Sequence, residues 1–593
     1  MSDSTATAPV TAGARTIAGP TSDLTLHAGK GDEKGNETPT ATNAAAPAEP
    51  TPQQPVNPGE IPAPEAQQGE AAPAAPPRPE PAGIEIELKL LVDAAHLADF
   101  NDAPVVTANA RNKGARKHLK SVYYDTPERT LWQNGLTLRV RQNGARFVQT
   151  VKAEFRDDPL RRGEWEASVP SMAPDLALAM PFIPEKLRAE IESSRIEGVF
   201  TADIRRHQRM LEMPSGTVEI AFDQGVIKAG DRSLPVSEIE LELKSGSATA
   251  IHELALRLAE YGEVRPSTRT KSARGFELAA DTPPAVKRPE KLRLDPAIAL
   301  DDAFAAILRS CLKHLLDAIP AAEDGRAPEG IHQLRVSLRR LRAALDLMRS
   351  VGSLSRLEQL RTDARWFAHN LTAAREWDVF EAETLPTVAK GCPTVAGFEA
   401  LGEVAEKRRS AAYNKVRAVL TDRRCAAFII GLGGWIEARG WRSDVPPENL
   451  GQLAEPTTNF AHRMLSAQHA KVLKRGKHFK SQTAEERHQV RLAVKKLRYV
   501  VEFLLPLYDL GKPARRYSQK LAELQEELGA FNDMATTAAL LSGIGGEALE
   551  GATARAAIAG WQAHAMVGSE ARLRAAWSEF SKTKTPWSRP EEA

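Results

Sequence analysis

The chain has 593 residues, too many for one hydrophobic core and enough for two or three domains. A formal net charge of +2 points to no nucleic-acid partner, and the three cysteines, Cys311, Cys392 and Cys425, match neither a metal spacing nor a disulfide framework. There is no apolar run of about eighteen residues to span a membrane and no basic-then-apolar leader, so the expected setting is a reducing cytoplasm.

Residues 1–82 are rich in Ala, Pro, Thr, Glu and Gln and almost free of aromatics. They cannot bury enough apolar surface to offset their ordering entropy, so a disordered arm is expected there.

From residue 83 to about 280 the chain reads as antiparallel strands with a few helices. Ile84-Glu-Ile-Glu-Leu-Lys-Leu90 alternates with period two, which puts Glu85, Glu87 and Lys89 on one face. Val122-Tyr-Tyr-Asp-Thr-Pro127 is a strand running into a turn. Leu136–Arg141 alternates again with Arg139 and Arg141 together, Asn143-Gly144 predicts a hairpin, and Phe147–Glu154 returns with Lys152. Glu164 and Glu166 stand two apart, and Asp223-Gln224-Gly225 reads as a further turn. Glu238-Ile-Glu-Leu-Glu-Leu-Lys244 nearly copies the first strand, and a helix is expected over 248–261.

Such strands can bury their apolar faces under the helices. Their charged faces can then meet only each other or a ligand. A closed barrel meets both demands, because it has no edges and its lumen holds polar groups. Rows of acids and bases in one lumen suit a polyanion carrying metal: bases for phosphate oxygens, carboxylates for Mg²⁺ or Mn²⁺.

These blocks resemble, in order, those of the CYTH domains, the triphosphate tunnel metalloenzymes. The matching residues are Glu85-Ile-Glu-Leu-Lys89, Tyr123-Tyr-Asp-Thr-Pro127, Leu138-Arg-Val-Arg141, Glu238–Lys244 and Lys271-Ser-Ala-Arg-Gly275. The resemblance implies an antiparallel tunnel that hydrolyses a triphosphate with a divalent metal. It further implies that Lys89, Arg139, Arg141, Lys152, Lys244, Lys271 and Arg274 grip phosphate, with Arg206 or its neighbour Arg205 beside them. Glu238, Glu240 and Glu242 are implied metal ligands and Asp223 a further one, while Glu85 and Glu87 hold metal or orient water. Lys120, Tyr124, Asp125, Glu164 and Glu166 are either secondary contacts or packing and turn residues.

A Pro-rich linker is expected over 281–295, and the chain is helical from 296 to about 580. His332-Gln-Leu-Arg-Val-Ser-Leu-Arg-Arg-Leu-Arg342 is echoed by His488-Gln-Val-Arg-Leu-Ala-Val-Lys-Lys-Leu-Arg498, an offset of 488 − 332 = 156. On a helical wheel, His332, Arg335, Arg339 and Arg342 form one stripe beside the leucines. His488, Arg491, Lys495 and Arg498 repeat it, while Arg340 and Lys496 sit off it. A line of basic groups suits a linear polyanion, and the lack of interleaved aromatics disfavours nucleic acid. With Leu371–Val379 and Leu528–Asp533, these helices resemble the CHAD family, the conserved histidine α-helical domain. Thr372 and Glu376 depart from its Gly and Asp. The resemblance implies two repeated bundles, about 296–440 and 450–580, that bind inorganic polyphosphate between basic faces. Lys471, Lys474, Arg475, Lys477 and Lys480 add a basic cluster, and residues 581–593 are expected to fray.

The sequence thus predicts a multi-domain α+β protein with a tunnel for inorganic triphosphate and a helical polyphosphate binder, associated with polyphosphate granules. The alternatives it leaves open are a nucleoside or thiamine triphosphatase, an adenylate cyclase, and a non-catalytic polyphosphate scaffold.

Overall fold

A computed structural model describes residues 84–154, 161–352, 355–508, 510–544 and 550–587. The expected arm, residues 1–82, lies outside the described residues, as does the side chain of Glu85.

Nine strands form one antiparallel sheet: β1 (Ile84–Leu91), β2 (Ala115–Asp125), β3 (Leu136–Asn143), β4 (Arg146–Glu154), β5 (Arg161–Val169), β6 (Glu197–Met213), β7 (Gly216–Ala229), β8 (Arg232–Gly246) and β9 (Arg265–Ser267). Their order is β5-β4-β3-β2-β6-β7-β8-β1-β9. The sheet curls until its ends meet at β1. One edge of β1 pairs β8; the other is shared, Ile84–Ile86 pairing β5 and Lys89–Leu91 pairing β9. The result is tunnel-like, with a seam joined to β5 over only three residues. The near-copies at the start and end of the barrel lie side by side, Glu87 opposite Glu242 and Lys89 opposite Glu240.

The predicted hairpin at Asn143-Gly144 joins β3 to β4, with Gly144 at φ +62°. The turn expected at Asp223-Gln224-Gly225 is not there: β7 runs straight through it. Gly225 serves another purpose, because a Cβ there would collide with the Asp203 carbonyl of β6. The strand instead turns at Gly230, φ +57°.

The two faces divide as alternation dictates. Outward-facing Leu88, Leu90, Ile220, Ile239 and Leu241 are buried under the helix Thr249–Tyr261. The helix Arg423–Glu437, from the C-terminal half, adds Ala426 and Ile430 to that cluster. The inner face is charged toward one end and apolar toward the other. Ile204, Ile227 and Val236 lie on the apolar stretch, and Phe276 of the helix Lys271–Ala280 packs there, edge-on to Phe200. That helix is a stopper. Gly275 is required in it, since any Cβ would collide with the Phe200 ring.

The described residues between 300 and 581 are mostly helical. The helix Leu300–Asp324 folds back on the first histidine helix, Pro328–Met348, and the second histidine helix spans Ala484–Leu504. The second opens on a capping box, Thr483 with Glu486. Both bury their leucine or valine stripe in one common core. Within the stretch expected to fray, Trp587 is held in place. Its ring is buried against Tyr517 and its Nε1 donates to Ser466 Oγ at 3.0 Å.

Candidate active site and basic helical face

The charged stretch of the tunnel encloses a cavity of about 270 Å³. Glu87 and Lys89 reach it from β1, Arg139 and Arg141 from β3, Lys152 from β4, Glu164 and Glu166 from β5. Arg206 enters from β6, Glu219 from β7, Glu240, Glu242 and Lys244 from β8, and Lys271 from the stopper helix. Acids and bases are interleaved around the wall: Glu164 lies 3.2 Å from Lys152 and 3.7 Å from Arg139, and Lys244 lies 2.5 Å from Glu242. Around the eight-strand ring β3 stands four places from β8 in either direction, so Arg139 and Arg141 face Glu240 and Glu242. Crowded cations show in their protonation. Burial and the neighbouring Arg139 push Arg141 down to about 10.

Behind the acidic wall lies a dense network. Lys271 Nζ donates to Asp223 Oδ2 at 2.6 Å, Glu238 Oε1 at 2.5 Å and Glu240 Oε1 at 2.9 Å. Arg206 grips Asp223 with two bonds, 2.7 and 2.6 Å, and also meets Glu240. Lys89 donates to Glu240 Oε1 at 2.8 Å and pairs Glu87, and Arg274 holds Glu238. Burial alone would lift Asp223 and Glu240; Lys271 and Arg206, joined at Glu240 by Lys89, instead hold both below the usual carboxylate range. Burial alone would lower Lys271, but Asp223, Glu238 and Glu240 keep it above the ordinary ammonium range.

Among the described residues, two groups of carboxylates are candidates for holding a divalent ion. Asp223, Glu238 and Glu240 bring their oxygens within 4.8 Å of one another. Asp223 and Glu238, however, are fully buried, do not line the cavity and are already saturated by cations. The second group is a cross-strand row: Glu87 opposite Glu242, and Glu242 opposite Glu219. Like charges directly opposite one another destabilise a sheet. These three line the cavity, where Lys89 pairs Glu87 and Lys244 lies 2.5 Å from Glu242 and 3.9 Å from Glu219; the hard oxygen ligands of either group suit a divalent ion such as Mg²⁺ or Mn²⁺.

Several sequence expectations are refined. Of the pair Arg205 and Arg206, only Arg206 points inward; Arg205 is exposed. Arg274 reaches the network without lining the cavity. Tyr124 points outward and donates to the Met172 carbonyl at 2.5 Å, so it is no ligand contact. Its neighbour Tyr123, which the sequence reading passed over, faces the tunnel beside Arg139 and Arg141. Asp125 is a structural carboxylate: fully buried, it accepts backbone N–H bonds from Thr126, Leu131 and Trp132. Lys120 is exposed and lines no part of the cavity. Glu219 was not foreseen.

On the first histidine helix His332, Arg335, Arg339 and Arg342 share one side, none of them buried in the core. Arg335 donates to Thr372 Oγ1 at 2.8 Å, which gives the departure at position 372 a use. Burial, Arg375 and Arg339 lower His332, and burial and Arg365 lower Arg342. Arg365 and Arg375 thus join the basic face from other helices. Asp378 is no part of it: fully buried, it accepts from Arg409 Nε and Tyr413 Oη, both at 2.8 Å. On the second helix His488, Arg491, Lys495 and Arg498 likewise stay out of the core, and Tyr499 lies under the influence of both Arg339 and Arg498. Near Tyr499 one end of each stripe, Arg339 and Arg498, comes together.

Comparison with known proteins agrees with this division. Residues 83–276 match the CYTH domain, and residues 306–542 match the CHAD domain. The CYTH match falls on the barrel and the CHAD match on the helices. It is 29% identical over 165 residues to an inorganic triphosphatase of Haemophilus influenzae, a match covering 27% of this chain and 46% of that protein. Among solved structures it is similar to the CHAD domain from the plant Ricinus communis: 31% identity, 51% of this chain, 99% of the other, TM-score 0.45. A Hippeastrum protein described as an adenylyl cyclase with a dominant triphosphatase activity is 15% identical, covering 33% of this chain and 95% of the other, TM-score 0.24. No helix among the described residues is long and apolar enough to cross a membrane.

Proposed function

We propose that the tunnel hydrolyses inorganic triphosphate with Mg²⁺ or Mn²⁺, and that the helical half binds inorganic polyphosphate and recruits the enzyme to polyphosphate deposits. The observation that carries the first part is the bore lined by interleaved cations and carboxylates, with Arg139 and Arg141 facing Glu240 and Glu242. A polyanion binder alone has no use for Glu87, Glu219, Glu240 and Glu242 on its wall, which disfavours the scaffold reading.

In this reading Arg139, Arg141, Lys152, Arg206 and Lys244 hold the phosphate oxygens and set the line of attack, so that much of the barrier falls through positioning and charge neutralisation. Lys89 and Lys271, anchored on Glu240, complete the cationic lining. Asp223 and Glu238 serve the cations rather than the metal, fixing Arg206, Lys271 and Arg274 in place. Glu87, Glu242 and Glu219, with Glu240 beside them, would hold a divalent ion. When bound, that ion neutralises phosphate oxygens and activates water. Glu85 and Glu87, from the first strand, are the candidates for orienting water. The stopper helix leaves entry from the charged end.

The test is phosphate release from triphosphate, ATP, thiamine triphosphate and long-chain polyphosphate, each with Mg²⁺, Mn²⁺ or chelator. Triphosphate is expected to be turned over fastest, and only with metal. The Lys89→Ala/Arg139→Ala double variant should lose turnover yet still bind polyphosphate. Full activity in that variant would refute the tunnel assignment. For the helical half, labelled polyphosphate competed against DNA and RNA should be displaced by unlabelled polyphosphate alone.

A further inference from the structure

We propose that Glu323, in the helical domain, is a positioning residue for the tunnel: it pins β9, and through β9 it sets Lys89 and Lys271. The proposal rests on the tunnel reading above. β9 is three residues long. Along one edge it pairs β1, with Ser267 opposite Lys89 and Arg265 opposite Leu91. It is the last strand of the sheet. It touches the helix Arg423–Glu437, and Arg265 forms an ion pair with Glu323. A few residues beyond β9, Thr270 caps the stopper helix and Lys271 enters the tunnel. Lys89 and Lys271 both donate to Glu240 Oε1. A displaced β9 therefore moves two cations that share one carboxylate oxygen.

Glu323 itself sits at a braced tip. It lies in the last turn of the helix Leu300–Asp324, just before the first histidine helix. Arg417 Nε donates to the Glu323 carbonyl at 3.1 Å, and Arg409 Nη2 to the Gly325 carbonyl at 2.6 Å. Arg409 also holds Asp378, one turn from Arg375, whose charge acts on His332. The tip is thus tied to the wall of the basic face as well as to β9. The contact between the halves is packed, not tethered. His252 is buried against Gly433 and Gly434, where a Cβ at Gly433 would collide with the imidazole. Ala426 and Ile430 belong to the barrel's outer core. A polyanion seated on His332, Arg335 and Arg375 bears on the same tip that holds Arg265.

The experiment uses the full chain as wild type, Glu323→Arg, Arg265→Glu and the double exchange. Three things are measured: KM and kcat for triphosphate, affinity for long-chain polyphosphate, and hydrogen–deuterium exchange over 265–275 with and without that polyphosphate. Each single variant is expected to raise KM about five-fold, the low end of coupling between sites, with a smaller change in kcat. Exchange over 265–275 should quicken, while polyphosphate affinity stays unchanged. The double exchange should restore KM, the outcome that a loss of general stability would not give. Polyphosphate should slow exchange over 265–275 in wild type and in the double exchange, and not in the single variants. Unchanged KM and exchange in the single variants, failure of the double exchange to rescue, or equal polyphosphate protection in all four proteins would each overturn the proposal. Exchange is read without turnover, so a wild type that hydrolyses no triphosphate would sink the enzymatic reading alone.

Discussion

Arg340 donates to Glu502 at 2.5 Å, and Lys496 lies 3.5 Å from Asp346; each ion pair is the other displaced by the 156-residue offset of the repeat. The two histidine helices therefore meet about a pseudo-twofold axis, antiparallel, with matching positions exchanging partners. This accounts for the two cations that sit off the basic stripes: they staple the halves together, leaving the stripes to a ligand.

The staples are unequal. Arg340 is 2% exposed on its side chain, with Phe503 beneath its guanidinium at 5.6 Å, whereas Lys496 is 56% exposed. Breaking a buried pair costs several kcal/mol, but Glu502 is 38% exposed and can be rehydrated. Arg340→Ala should therefore lower stability by about 2 kcal/mol and Lys496→Ala by less than about 0.5 kcal/mol. Urea unfolding of the two variants measures the difference; equal costs would mean that the symmetry of the pairs carries no energetic asymmetry.

Glu219 should matter chiefly to metal, beside its 3.9 Å ion pair with Lys244. Gln208 Nε2 donates to its Oε2 at 3.1 Å and orients it toward the cavity. Glu219→Gln keeps size and polarity but removes one charge from the row it forms with Glu242 and Glu87. The metal concentration needed for half-maximal turnover should rise about ten-fold, with kcat at saturating metal largely retained. Metal titration with triphosphate in excess reads this directly. An unmoved metal requirement would shift the ion to Asp223, Glu238 and Glu240.

The tunnel was legible because period two is a strong signal and the charged face recurs on several strands, which a solvated face with surface ion pairs explains poorly. What stayed hidden depended on neighbours in space. Glu219 escaped because Ala221 separates it from Asp223 on the same face, so β7 shows no charged row. Tyr123 and Tyr124 are adjacent aromatics on opposite faces, and the chain alone does not say which face is the lumen. Gly225 read as a turn because a glycine forced by a neighbouring strand looks the same in sequence as one forced by positive φ. Arg340 and Lys496 had no visible role until the second half of the repeat was set against the first. The apolar inner end of the barrel, which admits the stopper helix, is spread over β6, β7 and β8 with no contiguous motif.

Gly275→Ala tests the stopper. The added methyl meets the Phe200 ring, which is itself stacked on Tyr123 at 4.4 Å and edge-on to Phe276. Overpacking of this kind costs about 1–3 kcal/mol. The helix that must shift carries Lys271 in its first turn, so triphosphate turnover should fall together with the melting temperature. A variant that loses stability but keeps full turnover would show that Lys271 is placed independently of the helix behind it.

Glu381 gives the helical domain a pH dependence of its own. Burial, with Glu406 beside it, pushes its carboxyl up to about 7, against the pull of Arg409 at 3.4 Å. A carboxyl raised on folding binds its proton more tightly in the native than in the unfolded chain. Its contribution is fully present below the unfolded value, near 4.5, and is lost as pH rises through about 7. Glu381→Gln mimics the protonated form. It should leave the melting temperature unchanged near pH 4.5 and raise it at pH 8, where the native protein carries the ionised carboxylate close to Glu406 and Asp378. Thermal melts of both proteins across that range decide the matter. A variant less stable than wild type at pH 8 would mean that the Arg409 ion pair outweighs burial and like-charge repulsion.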